Sequence, residues 1–293
     1  MTSNIDHSQY SQSDFSLLIE DFLISHRKKP VVLRGHKHYH NAYEILLTNS
    51  GSGEFFIKNR NYKIQDKTIF IIDESEIHRP KISEKNPSFD RFVIHIKENF
   101  LKNYFNNVEG NFNPLHIFNK NIKSVKLNNS QYNKLKYITE KLIFESTKKQ
   151  PGYQSIIHAY LLEMFVIVFR LTEKNNFPEQ KINSSNQKLH QIIEYINNNY
   201  KKELTLNDIA KSLYISKYYL SHFFKKKTGF TVIEFINSRR IIEAQKMLTG
   251  TNLNITDIAI SVGFNSLNHF ERTFKKINGI TPSQYQEMET PGR

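Results

Sequence analysis

Two sets of side chains in this sequence have the types and spacing to do chemistry. The first is His38, His40 and Glu44, in the run Gly35-His36-Lys37-His38-Tyr39-His40-Asn41-Ala42-Tyr43-Glu44. Gly51 follows after six more residues, and His78 lies further on. On an extended chain His38 and His40 share a face, and Glu44 keeps the even spacing. Three imidazoles and a carboxylate can coordinate a divalent metal, or they can line a pocket for a polar or anionic small molecule. The expectation is the effector pocket, with no metal and no cofactor; the same four residues are the metal candidates if that is wrong. The second set is two polar-basic stretches, Lys217, Tyr218, Ser221 and His222, and Leu267, Asn268, Glu271 and Arg272. Arg272 can fork onto guanine, Asn268 can pair with adenine through two bonds, and Glu271 can accept from cytosine N4. Tyr218 offers a thymine methyl an apolar surface. Lys225, Lys226, Lys227, Arg239, Lys275 and Lys276 suit phosphates, which give affinity without sequence choice. This is the chemistry of a double-stranded DNA reader; the plain alternative is a solvated helix face.

Such readers need helices held at a fixed angle. From Ile255 to Tyr285 the pattern is a helix, a turn through Gly263, a second helix and a stop at Asn278-Gly279. Asn254 is placed to cap the first helix and Ser266 the second. Ile255, Ile258, Ala259 and Val262 make one apolar face, and Phe270 and Phe274 another. The unit is repeated. Thr205-Leu206-Asn207-Asp208-Ile209-Ala210 matches Asn254-Ile255-Thr256-Asp257-Ile258-Ala259 at an offset of 49. After one inserted residue near the turn, Ser216, Leu220, His222, Phe224, Gly229 and Phe235 match Ser266, Phe270, Arg272, Phe274, Gly279 and Tyr285 at an offset of 50. A helix of about 27 Å connects the units, with Thr231 and Glu234 as a capping box. Two helix-turn-helix units, near 205–228 and 254–278, are thus expected to reach two successive major grooves about one DNA turn apart.

At this point the resemblance is specific. Residues 188–288 resemble the DNA-binding domain of AraC/XylS-family transcription regulators, through LTLNDIAKSLYISKYYLSHFFKKKTGFT and ITDIAISVGFNSLNHFERTFKKINGITPSQY. The resemblance implies seven helices and supports the outward positions as base readers. His222 stands where the family commonly has arginine, which makes the first unit the weaker guanine reader and sensitive to pH. The run from His38 to Gly51 resembles the first cupin motif. The second is degraded, with Asp73-Glu74-Ser75-Glu76 where a Pro-x-Gly turn is usual and His78 retained. Sensor domains of this family are similar here and bind a small effector. The resemblance also implies a homodimer, through helices 130–146 and 153–171.

The barrel that would hold the histidines is legible as short strands at 31–34, 43–48, 53–58, 61–65, 68–72 and 91–96, separated by turn signals. Tyr43, Ile45, Phe56 and Ile71 are expected to point into it. A helix over 97–105, a last strand over 122–127 and the two longer helices follow. The fold class is therefore two-domain α+β: a cupin-like β-barrel with following helices, then an all-α domain. The expected divisions are a sensing and dimerisation domain over 1–175, a linker over 176–187 and the DNA-binding domain over 188–293.

The chain has 293 residues and a formal net charge of +13, which favours an anionic partner without locating it. From Ile215 to Thr228 there are four lysines and no acid. There is no cysteine, so disulfides, thiolate metal sites and cysteine nucleophiles are excluded, including the acceptor that a DNA-alkyl-transfer domain needs. The polar N-terminus lacks the apolar core of a signal peptide. The run Ile156 to Leu171 is too short for a bilayer and reads as a buried or dimer-forming helix. A cytoplasmic, non-enzymatic, effector-responsive regulator is expected, activator or repressor, with RNA polymerase a possible partner. The alternative is a cupin-type metal-dependent enzyme with an accessory DNA-binding domain.

Overall fold

The structure, a computed structural model, describes residues 22–28, 42–74, 76–83, 88–105, 112–120, 122–174 and 184–289. His38, His40 and the strand expected at 31–34 lie outside them. The first half holds β1 (Phe22–Arg27), β2 (Tyr43–Gly51), β3 (Gly53–Ile57), β4 (Arg60–Ile64), β5 (Thr68–Ile72), β6 (His78–Ile82) and β7 (Phe89–Ile96). Then come α1 (Glu98–Phe105), α2 (Leu115–Asn119), β8 (Ser124–Lys126), α3 (Asn129–Lys148) and α4 (Tyr153–Lys174). The strands make two antiparallel sheets, a five-stranded one in the order β1-β7-β2-β5-β8 and a three-stranded one in the order β4-β3-β6. Strands β1 and β6 and the short α2 had no clear periodic signal.

The larger sheet is covered on both faces, which explains its almost unbroken apolar strands. Leu46, Phe70, Ile72 and Val93 face the smaller sheet and pack with Phe55, Ile57 and Ile64. Tyr43, Ile45, Ile71 and Ile94 face the other way, onto α3 and α4 through Leu135, Ile138, Leu161 and Phe165. The expectation that Tyr43, Ile45 and Ile71 point into the barrel is therefore reversed, since alternation sends their neighbours inward instead. Phe56 is also turned out, and is buried for a different reason given below. Helix α4 has 22 residues, so length alone does not keep it out of a membrane. Its Leu161, Met164, Phe165 and Val168 bury against the sheet, as a core helix does.

The second half is seven helices among the described residues: α5 (Ser184–Asn199), α6 (Leu206–Ser212), α7 (Lys217–Thr228), α8 (Val232–Gly250), α9 (Ile255–Ser261), α10 (Leu267–Asn278) and α11 (Pro282–Glu289). Helix α5 starts inside the stretch expected as linker. One core unites them, with Leu189, Ile196, Phe224, Phe235, Phe270 and Tyr285 among its buried residues. The same cluster takes in Phe56 and Ile77 from the first half. Phe56 meets Phe230 and Phe235 edge-on, each at 6.4 Å. The two halves share an apolar seam, and Phe56 is buried by the second domain rather than by the barrel.

Candidate nucleic-acid interface and sensor interior

The two reading helices are begun by the same local chemistry. Ser216 Oγ accepts from Tyr219 N at 3.1 Å, and Ser266 Oγ accepts from His269 N at 3.4 Å. The helices before them are capped by Thr205, which exchanges bonds with Asp208, and by Asn254, whose Oδ1 accepts from Asp257 N at 2.8 Å. Each reading helix ends on a left-handed glycine, Gly229 at φ 78° and Gly279 at φ 80°. Their inner faces are fully buried at Leu220, Phe224, Phe270 and Phe274. Caps and core thus leave one outward face per helix.

On α7 that face carries Lys217, Tyr218, His222, Lys225 and Lys226 exposed, with Ser221 and Lys227 half-buried. Tyr218 and His222 lie nearly parallel, 8° apart, with ring centres at 6.1 Å. On α10, Asn268, Arg272, Lys275 and Lys276 are exposed and Glu271 is half-buried. Leu267 is half-buried: part of it packs against the domain core, which leaves it at the edge of this face. Arg239 is only partly available for a phosphate, because Nη2 meets Glu243 Oε1 at 2.8 Å and the guanidinium lies over Tyr200.

Arg240 and Tyr214 were not singled out by sequence. Arg240, buried on α8, donates from Nε to Tyr200 O at 2.7 Å and from Nη2 to Lys202 O at 2.9 Å. Burial lowers its pKa. Gly263, at φ 100°, sits against the same segment: a Cβ there would lie 2.7 Å from the carbonyl oxygens of Tyr200 and Lys201. The end of α5 is therefore pinned to the turn of the second unit. Tyr214 takes the matching left-handed position in the first unit, at φ 54°, with its side chain 96% exposed.

In the sensor, Glu44 and His78 come together. Glu44 Oε2 is 3.2 Å from His78 Nε2 and 3.5 Å from His95 Nε2, and all three residues are buried. His78 Nδ1 is 2.8 Å from the Glu76 carbonyl, which can only accept. With a carboxylate at its other nitrogen, a ring protonated on both nitrogens satisfies both contacts, so the geometry favours an imidazolium paired to Glu44. Burial opposes that charge, but the Glu44 hydrogen bond and charge and the Glu76 carbonyl outweigh it and raise the pKa. Among the described residues no group of three His, Asp or Glu has metal-holding geometry. The degraded turn has its own scaffold: Glu76 accepts from Asp73 N at 3.1 Å and meets the buried Lys123 at 3.0 Å. His95 was within reach of sequence reasoning, two residues from Val93 on an alternating strand. Lys123 was not, since only the fold brings it to Glu76.

Along the seam, Arg79 Nη1 donates to Gly229 O and the guanidinium lies over the Phe230 ring, while Asn61 Nδ2 donates to Lys227 O at 3.0 Å. Glu74 is pushed up to about 7, first by burial and then by Glu98 and Asp73, with Lys246 on α8 pulling the other way. Beside these contacts lies a cleft of about 370 Å³, lined by Gly53, Glu54, Lys81, Ser83, Lys226 and Lys227.

Known proteins match both halves. A model described as an AraC-like ligand binding domain matches residues 31–131, and one described as a helix-turn-helix domain matches residues 209–288. The HTH-type transcriptional activator AarP of Providencia stuartii is 38% identical over 102 residues, 35% of this chain and 76% of that protein. The chain belongs to the AraC family of transcription regulators. The activator RhaR of Mannheimia succiniciproducens is 21% identical to this AraC-family chain, over 96% of it and 95% of RhaR. Among solved structures, the C-terminal domain of the response regulator yesN from Fusobacterium nucleatum is 36% identical, covering 33% of this chain and 94% of that one, with a TM-score of 0.32. This family member is a DNA-binding transcription regulator that joins a helix-turn-helix domain to a ligand-binding domain.

Proposed function

We propose that this regulator sets α7 and α10 in two successive major grooves of a promoter and acts as a homodimer, through α3 and α4, in the cytoplasm. It works by binding and not by catalysis. The observation that carries the reading is the pair of identically capped helices with open polar faces. Helix α8, of 19 residues, separates them by about 28 Å of rise, close to the roughly 34 Å of one DNA turn. Asn268 and Arg272 supply most of the hydrogen-bonded base readout. Lys217, Tyr218, Ser221 and His222 contribute contact and shape readout, and Glu271 and Leu267 the edge of the second face. Lys225, Lys226, Lys227, Lys275 and Lys276 hold phosphates, with Arg239 sharing itself with Glu243. A small effector acts on the sensor, with Glu44 and His78 the polar feature of its interior. RhaR and AarP are activators, and we carry that sense to this chain, with RNA polymerase as its partner.

The double change Asn268→Ala with Arg272→Ala tests the central claim. Each good base contact discriminates by about 1–3 kcal/mol, so promoter affinity at physiological salt is expected to fall at least about 30-fold. Affinity for unrelated DNA of the same length should change far less, because phosphate contacts remain. Equal affinity of variant and wild type for the promoter site, measured by anisotropy titration, would overturn the assignment.

A further inference from the structure

The seam touches the first reading helix at its weakest point. The last carbonyls of a helix have no partner within it, and its C-terminus carries a partial negative charge. In α7 the carbonyl of Lys225 is taken by Gly229 N. The carbonyl of Lys227 is taken by Asn61 of β4, and that of Gly229 by Arg79 of β6. Two sensor side chains therefore finish the helix cap, one of them a cation at the negative end. The fit is close: a Cβ on Gly229 would lie 2.9 Å from Arg79 Cδ. Arg79 and Phe56 are cross-strand partners on β6 and β3, and both turn outward onto the second domain.

Alternation along β6 connects this contact to the sensor interior. His78 is buried and paired with Glu44, Arg79 is half-buried against α7, Pro80 is buried and Lys81 is exposed. Successive residues of one strand thus reach the polar centre of the barrel and the end of the reading helix. With these contacts made, Lys217, Tyr218 and His222 remain exposed. The seam supports the reading face without covering it.

We propose that Arg79, assisted by Asn61, is a positioning residue that clamps the C-terminal end of the first reading helix to the sensor and holds it ready for DNA. This rests on the reading of α7 as a DNA-contacting helix. The test uses the full chain carrying Arg79→Met, with Arg79→Lys and Asn61→Ala as milder companions. Amide exchange over 226–231 is expected to quicken at least tenfold in Arg79→Met and less in the companions. Exchange in α10 should stay unchanged. Specific promoter affinity should drop at least fivefold, with binding to unrelated DNA of equal length unaffected. Unchanged exchange over 226–231 would overturn the clamp, whatever DNA does. Faster exchange with tighter promoter binding would show a restraint instead of a support, and would also overturn the positioning role. The reading of α7 and α10 as base readers fails separately, through the Asn268 and Arg272 double variant.

Discussion

The Glu44–His78 pair shows how much one buried proton can determine. Both nitrogens of His78 face acceptors, Glu44 Oε2 and the Glu76 carbonyl. Removing one partner of a buried pair typically costs about 3–5 kcal/mol, and His95 beside Glu44 and the Glu76 carbonyl on His78 hold the cost to the lower end of that range. His78→Gln and Glu44→Gln are each expected to lower stability by roughly that amount, and the double variant by less than the sum. The pH dependence has a definite sign. The folded-state pKa of His78 is raised, so the folded chain holds its proton where the unfolded chain has lost it. The pair's stabilisation is complete below the unfolded value, near 6.5, and fades as pH rises through the folded value. Chemical denaturation across neutral to alkaline pH should show wild-type stability declining and Glu44→Gln declining less. A parallel decline in both proteins would disprove the imidazolium assignment.

At the scale of elements, the two helix-turn-helix units solve one turn in two ways. Gly263 adopts φ 100° beneath the carbonyls of Tyr200 and Lys201, while Tyr214 adopts φ 54° in the open. A non-glycine residue in the left-handed region costs about 1–2 kcal/mol, part of which glycine returns through its looser unfolded chain. Tyr214→Gly should therefore stabilise by about 0.5–1 kcal/mol, and Gly263→Ala should destabilise by about 1–3 kcal/mol. Urea unfolding of both variants reads the contrast; destabilisation by Tyr214→Gly would mean that its left-handed backbone carries no strain for glycine to relieve. The repeat was legible because caps such as Ser216 and Ser266, and buried pairs such as Phe224 and Phe274, are local signals with a helical period. The sheet faces were not legible. In a strand buried on both sides, Tyr43 and Glu44 look equally inward, and only the helices behind the sheet decide. Phe56 is the sharpest case, since what buries it lies more than 170 residues away, at Phe230 and Phe235. Arg79 and Arg240 were silent for the same reason, because their acceptors are backbone carbonyls that no pattern of residue types reveals.

For the whole molecule, the α3–α4 hairpin has two sides with different tasks. Its inner side is spent on the sheet, through Leu135, Ile138, Leu161 and Phe165. Outward it still exposes Tyr137 and Phe144 on α3 and Ile156 on α4, at 49%, 47% and 44%. Tyr137 and Phe144 are seven residues apart, two helical turns on one stripe. Lys134 and Glu163 bridge the two helices at 2.6 Å and keep the stripes side by side. Exposed aromatics on a paired helical surface are what a two-fold contact between copies would bury. Phe144→Asp with Ile156→Asp should then convert the proposed dimer to monomer in sedimentation velocity, with little change in thermal stability of the monomer since neither residue is in the core. The same variant should lose affinity for a promoter with two half-sites and keep it for one, because linking two binding events multiplies affinity only while the link holds. If the variant sediments as wild type does, the hairpin is only the cover of the sensor sheet, and the two-groove reach of α7 and α10 must supply the promoter affinity within a single chain.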